Sequence, residues 1–273
     1  MQCGDRQMTW EEAVSWLRIQ PDKTELVSAC YFDDPLEAAA QRFYNSLEWQ
    51  AVRALLPNKP GAVLDVGAGR GIASYALSVD GWDVTALEPD ASALVGAGAI
   101  ATLSKLTPKP INIVQDWGET LPFEDACFDV VHARQVLHHA KDLNQFCKEL
   151  IRVLRPGGML IATREHVVDN PEGLRAFLDT HPLHSLYGGE NAFTLQEYLD
   201  ALASGLAPVI ALSPWETPVN YFPAKYPDVR KAASRKIFWP FPALLPDWVV
   251  RRVSRRLSDP GRLYTFIGYR SQL

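Results

Sequence analysis

Glycines at alternating positions, Gly67-x-Gly69-x-Gly71, follow directly on the short apolar run Val63-Leu64-Asp65-Val66. Such a turn lets bare backbone lie against a bulky polar ligand. The spacing is one residue short of the Gly-x-Gly-x-x-Gly loop that seats a pyrophosphate at a helix N-terminus. Asp65 stands just before the loop, and a carboxylate there repels a pyrophosphate in a poorly hydrated crevice. The same carboxylate suits a cationic or ammonium-bearing ligand. Glu88 ends the next apolar run, where a doubly wound sheet presents an acidic side chain to the ribose of a nucleoside lying over the first loop. Glu88 alone would serve a nicotinamide dinucleotide equally well, so the glycine spacing together with Asp65 is the discriminator. S-adenosylmethionine fits: it carries a sulfonium, an α-ammonium and a carboxylate, and no phosphate.

The elements that must position these residues can be read from the same chain. Short β-rich runs at 63–66, 84–87, 111–114, 130–132 and 159–162 are mostly separated by helical patterns near 72–79, 92–105 and 142–154. Strand, helix, strand, repeated, implies right-handed crossovers and a parallel sheet covered on both faces. Gly157-Gly158 is the turn feeding the fifth run. Ahead of the first run, 9–19 reads as a helix opened by a Thr9/Glu12 capping box, and 35–56 as a second, longer helix ended by Pro57. Beyond 165 the pattern loosens into a Gly/His/Pro-rich stretch to about 192. A helix over 194–205 follows, with Thr194 and Glu197 as a second capping box. Residues 209–212 and 263–267 read as strands.

Composition sets the outer limits. The 273 residues suit one large domain or one domain with an elaboration, and 47% hydrophobic with 22% charged residues is ordinary for a globular protein. A net charge of −5 argues against a general nucleic-acid binder. The cysteines, Cys3, Cys30, Cys127 and Cys147, form no Cys-x-x-Cys pair, so neither a zinc site nor a disulfide framework is indicated. No apolar run approaches a membrane span, and the start of the chain lacks an apolar signal core. The expectation is a cytoplasmic protein without a metal site.

"VLDVGAGRG", "ALEPD", "LPFEDACFDVV", "LHH" and "RVLRPGGML", in this order, resemble the class I S-adenosylmethionine-dependent methyltransferases, and most of all their small-molecule group. The resemblance covers about 50–165. It implies an α/β fold: a doubly wound, seven-strand mixed sheet of order 3-2-1-4-5-7-6 with the last strand antiparallel, N-terminal helices, and a helical insertion before the last strand. The divisions expected are an N-terminal helical lid (1–57), a Rossmann-like core binding S-adenosylmethionine (58–214), a basic aromatic insertion (215–262) and the final strand (263–273). The resemblance further implies that Asp65 binds the methionyl ammonium, partly through water. Gly67, Ala68 and Gly69 let backbone approach the methionine. Glu88 clasps the ribose diol, and Pro89 lies on the adenine edge. The adenine-binding aspartate of relatives falls here on Trp117, so Asp116 and Trp117 are both named, the one for the exocyclic amine and the other for stacking. After the fourth strand, backbone at Ala133 and the side chain of Arg134 or Gln135 lie near the methionine. His138 and His139 invite a metal or general-base role, but such a pair in this family more often packs and hydrogen-bonds the helix start.

The sulfonium is an activated donor, so transfer is an in-line SN2 attack that needs mainly alignment. A base is needed only where the acceptor must lose a proton. Glu165 and His166, where the fifth strand opens, are the candidates, ahead of His181 and His184. Tyr31, Phe32, Phe43 and Tyr44 are either lid aromatics or interhelical packing. The block 215–262 is long for a connection, and 225–262 holds ten Lys/Arg against three Asp. A solvated basic face is the plain reading. Contact with an anionic acceptor or with the inner membrane face, for a lipid- or saccharide-linked substrate, is the other. No nucleic-acid partner is expected, because neither adenine-amino nor cytosine-C5 motifs occur. The function expected is methyl transfer to a small-molecule or lipid-/saccharide-linked acceptor. A non-catalytic binding protein and a nicotinamide-dependent dehydrogenase are the alternatives.

Overall fold

Consecutive residues of the β-rich runs face opposite cores, which is what a sheet covered on both sides requires. Leu64, Val131 and Leu160 enter one core with Leu150 and Tyr198. Their neighbours Val63, Val130 and Ile161 enter the other with Leu77, Ile100 and Trp49. A computed structural model describes residues 7–272; Cys3, with the rest of 1–6, lies outside the described residues. Strands β1 (Ala62–Val66), β2 (Asp83–Leu87), β3 (Asn112–Val114), β4 (Phe128–Arg134) and β5 (Leu154–Val168) are parallel. The short β6 (Phe193–Thr194) pairs with the end of β5. Strand β8 (Arg262–Arg270) lies antiparallel between β5 and β7 (Leu206–Leu212).

The order β3-β2-β1-β4-β5-β8-β7 is the expected one once β6 is set aside. This extra strand exists because β5 runs on to Val168, where Val167 pairs with Phe193. The single helix expected over 35–56 is two, Leu36–Tyr44 and Leu47–Leu55. The Ser46 hydroxyl accepts the Trp49 N–H at 3.0 Å and starts the second, while the Asn45 side chain donates back to the Gln41 carbonyl. Both helices bury apolar faces (Ala39, Ala40, Phe43; Trp49, Val52) on the β1 side of the sheet. Tyr31 and Phe43 are fully packed there rather than poised over a cleft.

The stretch read as loose after 165 contains helices Pro171–Thr180 and His184–Tyr187. The block 215–262 carries helices Pro218–Tyr221, Tyr226–Lys236 and Asp247–Ser254 around a small core of its own, Val229, Ala233, Leu245, Val250 and Val253. Both capping boxes, at Thr9 and Thr194, form. No described helix is long and apolar enough to cross a membrane. Cys30, Cys127 and Cys147 are free thiols.

Candidate active site

The loop after β1 is left-handed at Gly67, Gly69 and Gly71, with φ of 59°, 53° and 78°. At Gly67 a side chain would also strike the methyls of Val136 at 2.7 Å, so the loop can lie against the turn that follows β4 only because this residue is bare. Two bonds hold the loop over the end of β2: the Ala68 N–H donates to the Leu87 carbonyl (3.1 Å) and the Gly69 N–H to Glu88 Oε2 (2.7 Å). The other Glu88 oxygen accepts the Asp90 N–H at 2.9 Å. Burial pushes the Glu88 carboxyl up to about 7, against the pull of these backbone donors.

Asp65 sits beneath the loop, 1% exposed. One oxygen accepts the Ser74 hydroxyl and the other meets His132 Nδ1 at 2.7 Å. The β1–β4 register puts His132 directly beside Asp65, and Ser74 comes from the first turns of helix Ile72–Val79. The carboxylate thus ties strand, loop helix and neighbouring strand into one unit. Neither partner was visible from spacing in the sequence.

Asp116 and Trp117 follow β3 at the same carboxyl end of the sheet. Asp116 accepts the Trp117 backbone N–H at 2.8 Å, and the Trp117 ring is 68% exposed. Pro89 is half-buried beside Glu88. Ala133 is buried at the end of β4, its carbonyl accepting the Thr163 hydroxyl.

Arg134 is committed elsewhere. Its Nε donates to Glu48 Oε1 at 2.7 Å, and its guanidinium lies over the Tyr31 and Phe43 rings, 5.7 and 5.5 Å from their centroids. Burial acts against a charged Glu48, but Arg134 and Arg164 outweigh it and hold the carboxyl below its usual range. Arg164 stands 3.8 Å from Glu48 and donates to the carbonyls of Val219 and Phe222, both at 2.9 Å. Glu48 and Arg164 escaped sequence reasoning. The only signal was a carboxylate inside the apolar stripe of a helix.

Glu165 is fully buried and already accepts three donors: the N–H groups of Val136 and His138 and the His138 ring at Nδ1, the last at 2.8 Å. These donors keep its carboxyl below the usual range despite burial. His138 is desolvated, yet Glu165 and Glu190 together raise its imidazole to about 9. His166 follows Glu165 on the strand. Its Nδ1 donates to the Gly261 carbonyl (2.8 Å), and its ring lies 4.7 Å from the Phe177 ring and 4.9 Å from that of His138. Burial, with the His138 charge, pushes it down to about 3, so it is neutral. His139 packs on His138 and bonds the Gly189 carbonyl, so the two rings reach Glu165 and the segment before β6 rather than a helix start.

Comparison with known proteins agrees with this fold. A family described as Methyltransferase domain matches residues 64–162. Malonyl-[acyl-carrier protein] O-methyltransferase of Enterobacter lignolyticus is 31% identical over 64% of this chain and 67% of its own length. 2-methyl-6-phytyl-1,4-hydroquinone methyltransferase of Synechocystis is 33% identical over 42% of this chain, which spans only 34% of that protein. The structure of Haemonchus contortus phosphoethanolamine N-methyltransferase 2 with S-adenosyl-L-methionine superposes with a TM-score of 0.55 at 18% identity, covering 94% of this chain and 60% of that one, a likeness of fold. The antiparallel last strand fits that fold, and the chain belongs to the class I S-adenosylmethionine-dependent methyltransferases.

Proposed function

We propose that this enzyme methylates a small acceptor carried on a lipid or lipid-linked saccharide, which it takes from an anionic membrane surface. The observation that carries the reading is the tip of the block 215–262. Phe238 (94% exposed), Trp239, Phe241, Leu244 and Trp248 stand in solvent within one short stretch. Beside them the helix Asp247–Ser254 and its continuation expose Arg251, Arg252, Arg255 and Arg256 while burying Val250, Val253 and Leu257. Aromatic rings flanked by arginines suit the headgroup boundary of an anionic bilayer. The base of this block is tied to the catalytic end of the sheet, since Arg164 on β5 holds the carbonyls of Val219 and Phe222. Relatives are named for a phytyl hydroquinone and for ubiquinone biosynthesis, which supports the reading.

In this reading Glu88 accepts both ribose hydroxyls, Trp117 stacks on the adenine with Asp116 at its amine, and the backbone of Gly67–Gly69 and Ala133 lines the methionine. Pro89 flanks the adenine. Asp65 acts on the ammonium through the loop it supports. Arg134 shapes the acceptor side through Glu48. His166, with Nε2 left as an acceptor, receives the proton of a hydroxyl or ammonium acceptor only in passing, because burial and the His138 charge oppose its staying protonated, and Glu165 orients the turn beside it. The reading is tested by sedimentation with phosphatidylglycerol vesicles. The chain should pellet with them at low salt, and Phe238→Ser/Trp239→Ser should stay in the supernatant with its affinity for S-adenosylmethionine intact. Equal recovery with neutral phosphatidylcholine vesicles, or no pelleting at all, would overturn it.

A further inference from the structure

The His138–His139 turn has a feature that packing does not require. His138 donates from Nδ1 to Glu165, and His139 donates from Nδ1 to the Gly189 carbonyl at 2.9 Å. With both Nδ1 atoms occupied as donors, each ring is left with Nε2 for a further partner. A carboxylate or backbone oxygen on Nδ1 is the arrangement that orients an imidazole to bind metal through Nε2. Opposite stands Glu190, 8% exposed, with Oε2 3.6 Å from His138 Nε2 and Oε1 3.7 Å from His181 Nδ1. The ligand atoms of His138, His139 and Glu190 all lie within 4.8 Å of one another.

These separations are long for hydrogen bonds. The 3.6 and 3.7 Å separations are close to the edge of about 3.3–3.5 Å that separates nitrogen and oxygen ligands arranged tetrahedrally around one zinc, and His139, within 4.8 Å, would close on the ion by a turn of its exposed ring. His181 supplies an independent sign, because its Nδ1 is buried without any hydrogen-bond partner. Glu190 is itself held by the Tyr187 hydroxyl at 2.6 Å, the outer bond expected of a liganding carboxylate.

We propose that His138 and His139 through Nε2, Glu190 through a carboxylate oxygen and His181 through Nδ1 form a binding site for one divalent transition-metal ion, zinc by the preference of three imidazoles and a carboxylate. The site joins the turn after β4 to the segment 181–190, which sequence reading left as a loose loop. The exposed His139 is its solvent side. The metal would fasten the wall beside His166, whichever acceptor the enzyme uses.

The test uses the full chain, stripped with chelator and titrated with zinc or cobalt(II). One equivalent should bind, cobalt should show the intense visible bands of a four-coordinate site, and the melting temperature should rise with metal concentration. His139→Ala, at an exposed position, and Glu190→Gln, which keeps an acceptor for Tyr187, should each weaken binding by more than about tenfold, the least that even outer-ligand losses cost. His139→Ala should still bind S-adenosylmethionine, which shows that the fold is intact. Absence of stoichiometric binding at micromolar metal overturns the proposal, and so does binding that neither variant weakens.

Discussion

The Glu88 carboxylate accepts the Gly69 N–H at 2.7 Å and so fastens the end of the second strand to the middle of the glycine loop. The group that should clasp the ribose is therefore also the one that shapes the loop beneath the methionine. Its carboxyl is pushed up to about 7 by burial, while a ribose diol donates to the charged form. Below that pH the nucleoside must displace a proton. Affinity for S-adenosylmethionine should fall on acidification, approaching about tenfold per pH unit well below 7, and be flat above it. Without ligand the sign reverses: the folded chain holds this proton more tightly than the unfolded chain, so this group's share of stability grows as pH falls from about 7 towards 4.5. Glu88→Gln should weaken binding about 10–100-fold at pH 8 and abolish the slope. Calorimetry across the pH range checks both, and a slope surviving in the variant would assign it to another group.

Asp65 tests whether the ligand is held by a charge or by a loop. Its oxygens are engaged by Ser74 and His132 inside the protein. Asp65→Ala leaves both partners buried and unsatisfied, at a cost of about 2–4 kcal/mol. Melting temperature and S-adenosylmethionine affinity should fall together, and Ser74→Ala should reproduce part of both losses. An Asp65→Ala protein of unchanged melting temperature but abolished binding would point to direct contact with the ammonium.

The contrast between these two residues shows what the sequence could reveal. Backbone demands are written locally: three glycines, two capping boxes and alternating β-rich runs pointed to the loop, two helix starts and a parallel sheet, while the strand order came from the family resemblance. The place of Glu88 against the loop was legible because strand ends in a doubly wound sheet have a fixed relation to the first loop. The partners of Asp65, Arg134 and Glu165 were not, because strand register and helix docking bring together residues far apart in the chain, such as Asp65 with His132 and Glu48 with Arg134. The break at Ser46 was missed for a different reason. The apolar stripe continues through it, and only the side-chain oxygen decides that a new helix begins.

Glu48 should prove to be the ion on which the N-terminal helices depend. It is 1% exposed and lies between Arg134 at 2.7 Å and Arg164 at 3.8 Å. Glu48→Ala leaves two mostly buried guanidinium groups without their carboxylate, a loss of about 3–5 kcal/mol. Replacing Glu48 and Arg134 together by methionine should recover much of it, since the desolvation cost goes with the pair. Chemical denaturation measures both, and a loss under about 1 kcal/mol for Glu48→Ala would mean that water reaches the pair.

Glu165 and His166 are neighbours on β5 with opposite surroundings, and kinetics should separate them. Glu165 has three donors on its two oxygens and no exposed surface. A group so engaged holds a turn and cannot take a proton from an acceptor without breaking that turn. His166 has one nitrogen engaged by Gly261, and its Nε2 remains an acceptor. Glu165→Gln should therefore lower the melting temperature by several degrees and reduce kcat only in step with the folded fraction, because an amide can accept the Val136 N–H but not the full set. His166→Ala should keep its melting temperature within a few degrees and its S-adenosylmethionine affinity, while kcat falls about 100-fold or more for an acceptor that must lose a proton. With a thiolate acceptor, already deprotonated, the same variant should lose little. Release of S-adenosylhomocysteine from the two acceptor types gives the comparison, and an equal loss on both would make His166 a residue that positions the acceptor rather than one that receives its proton.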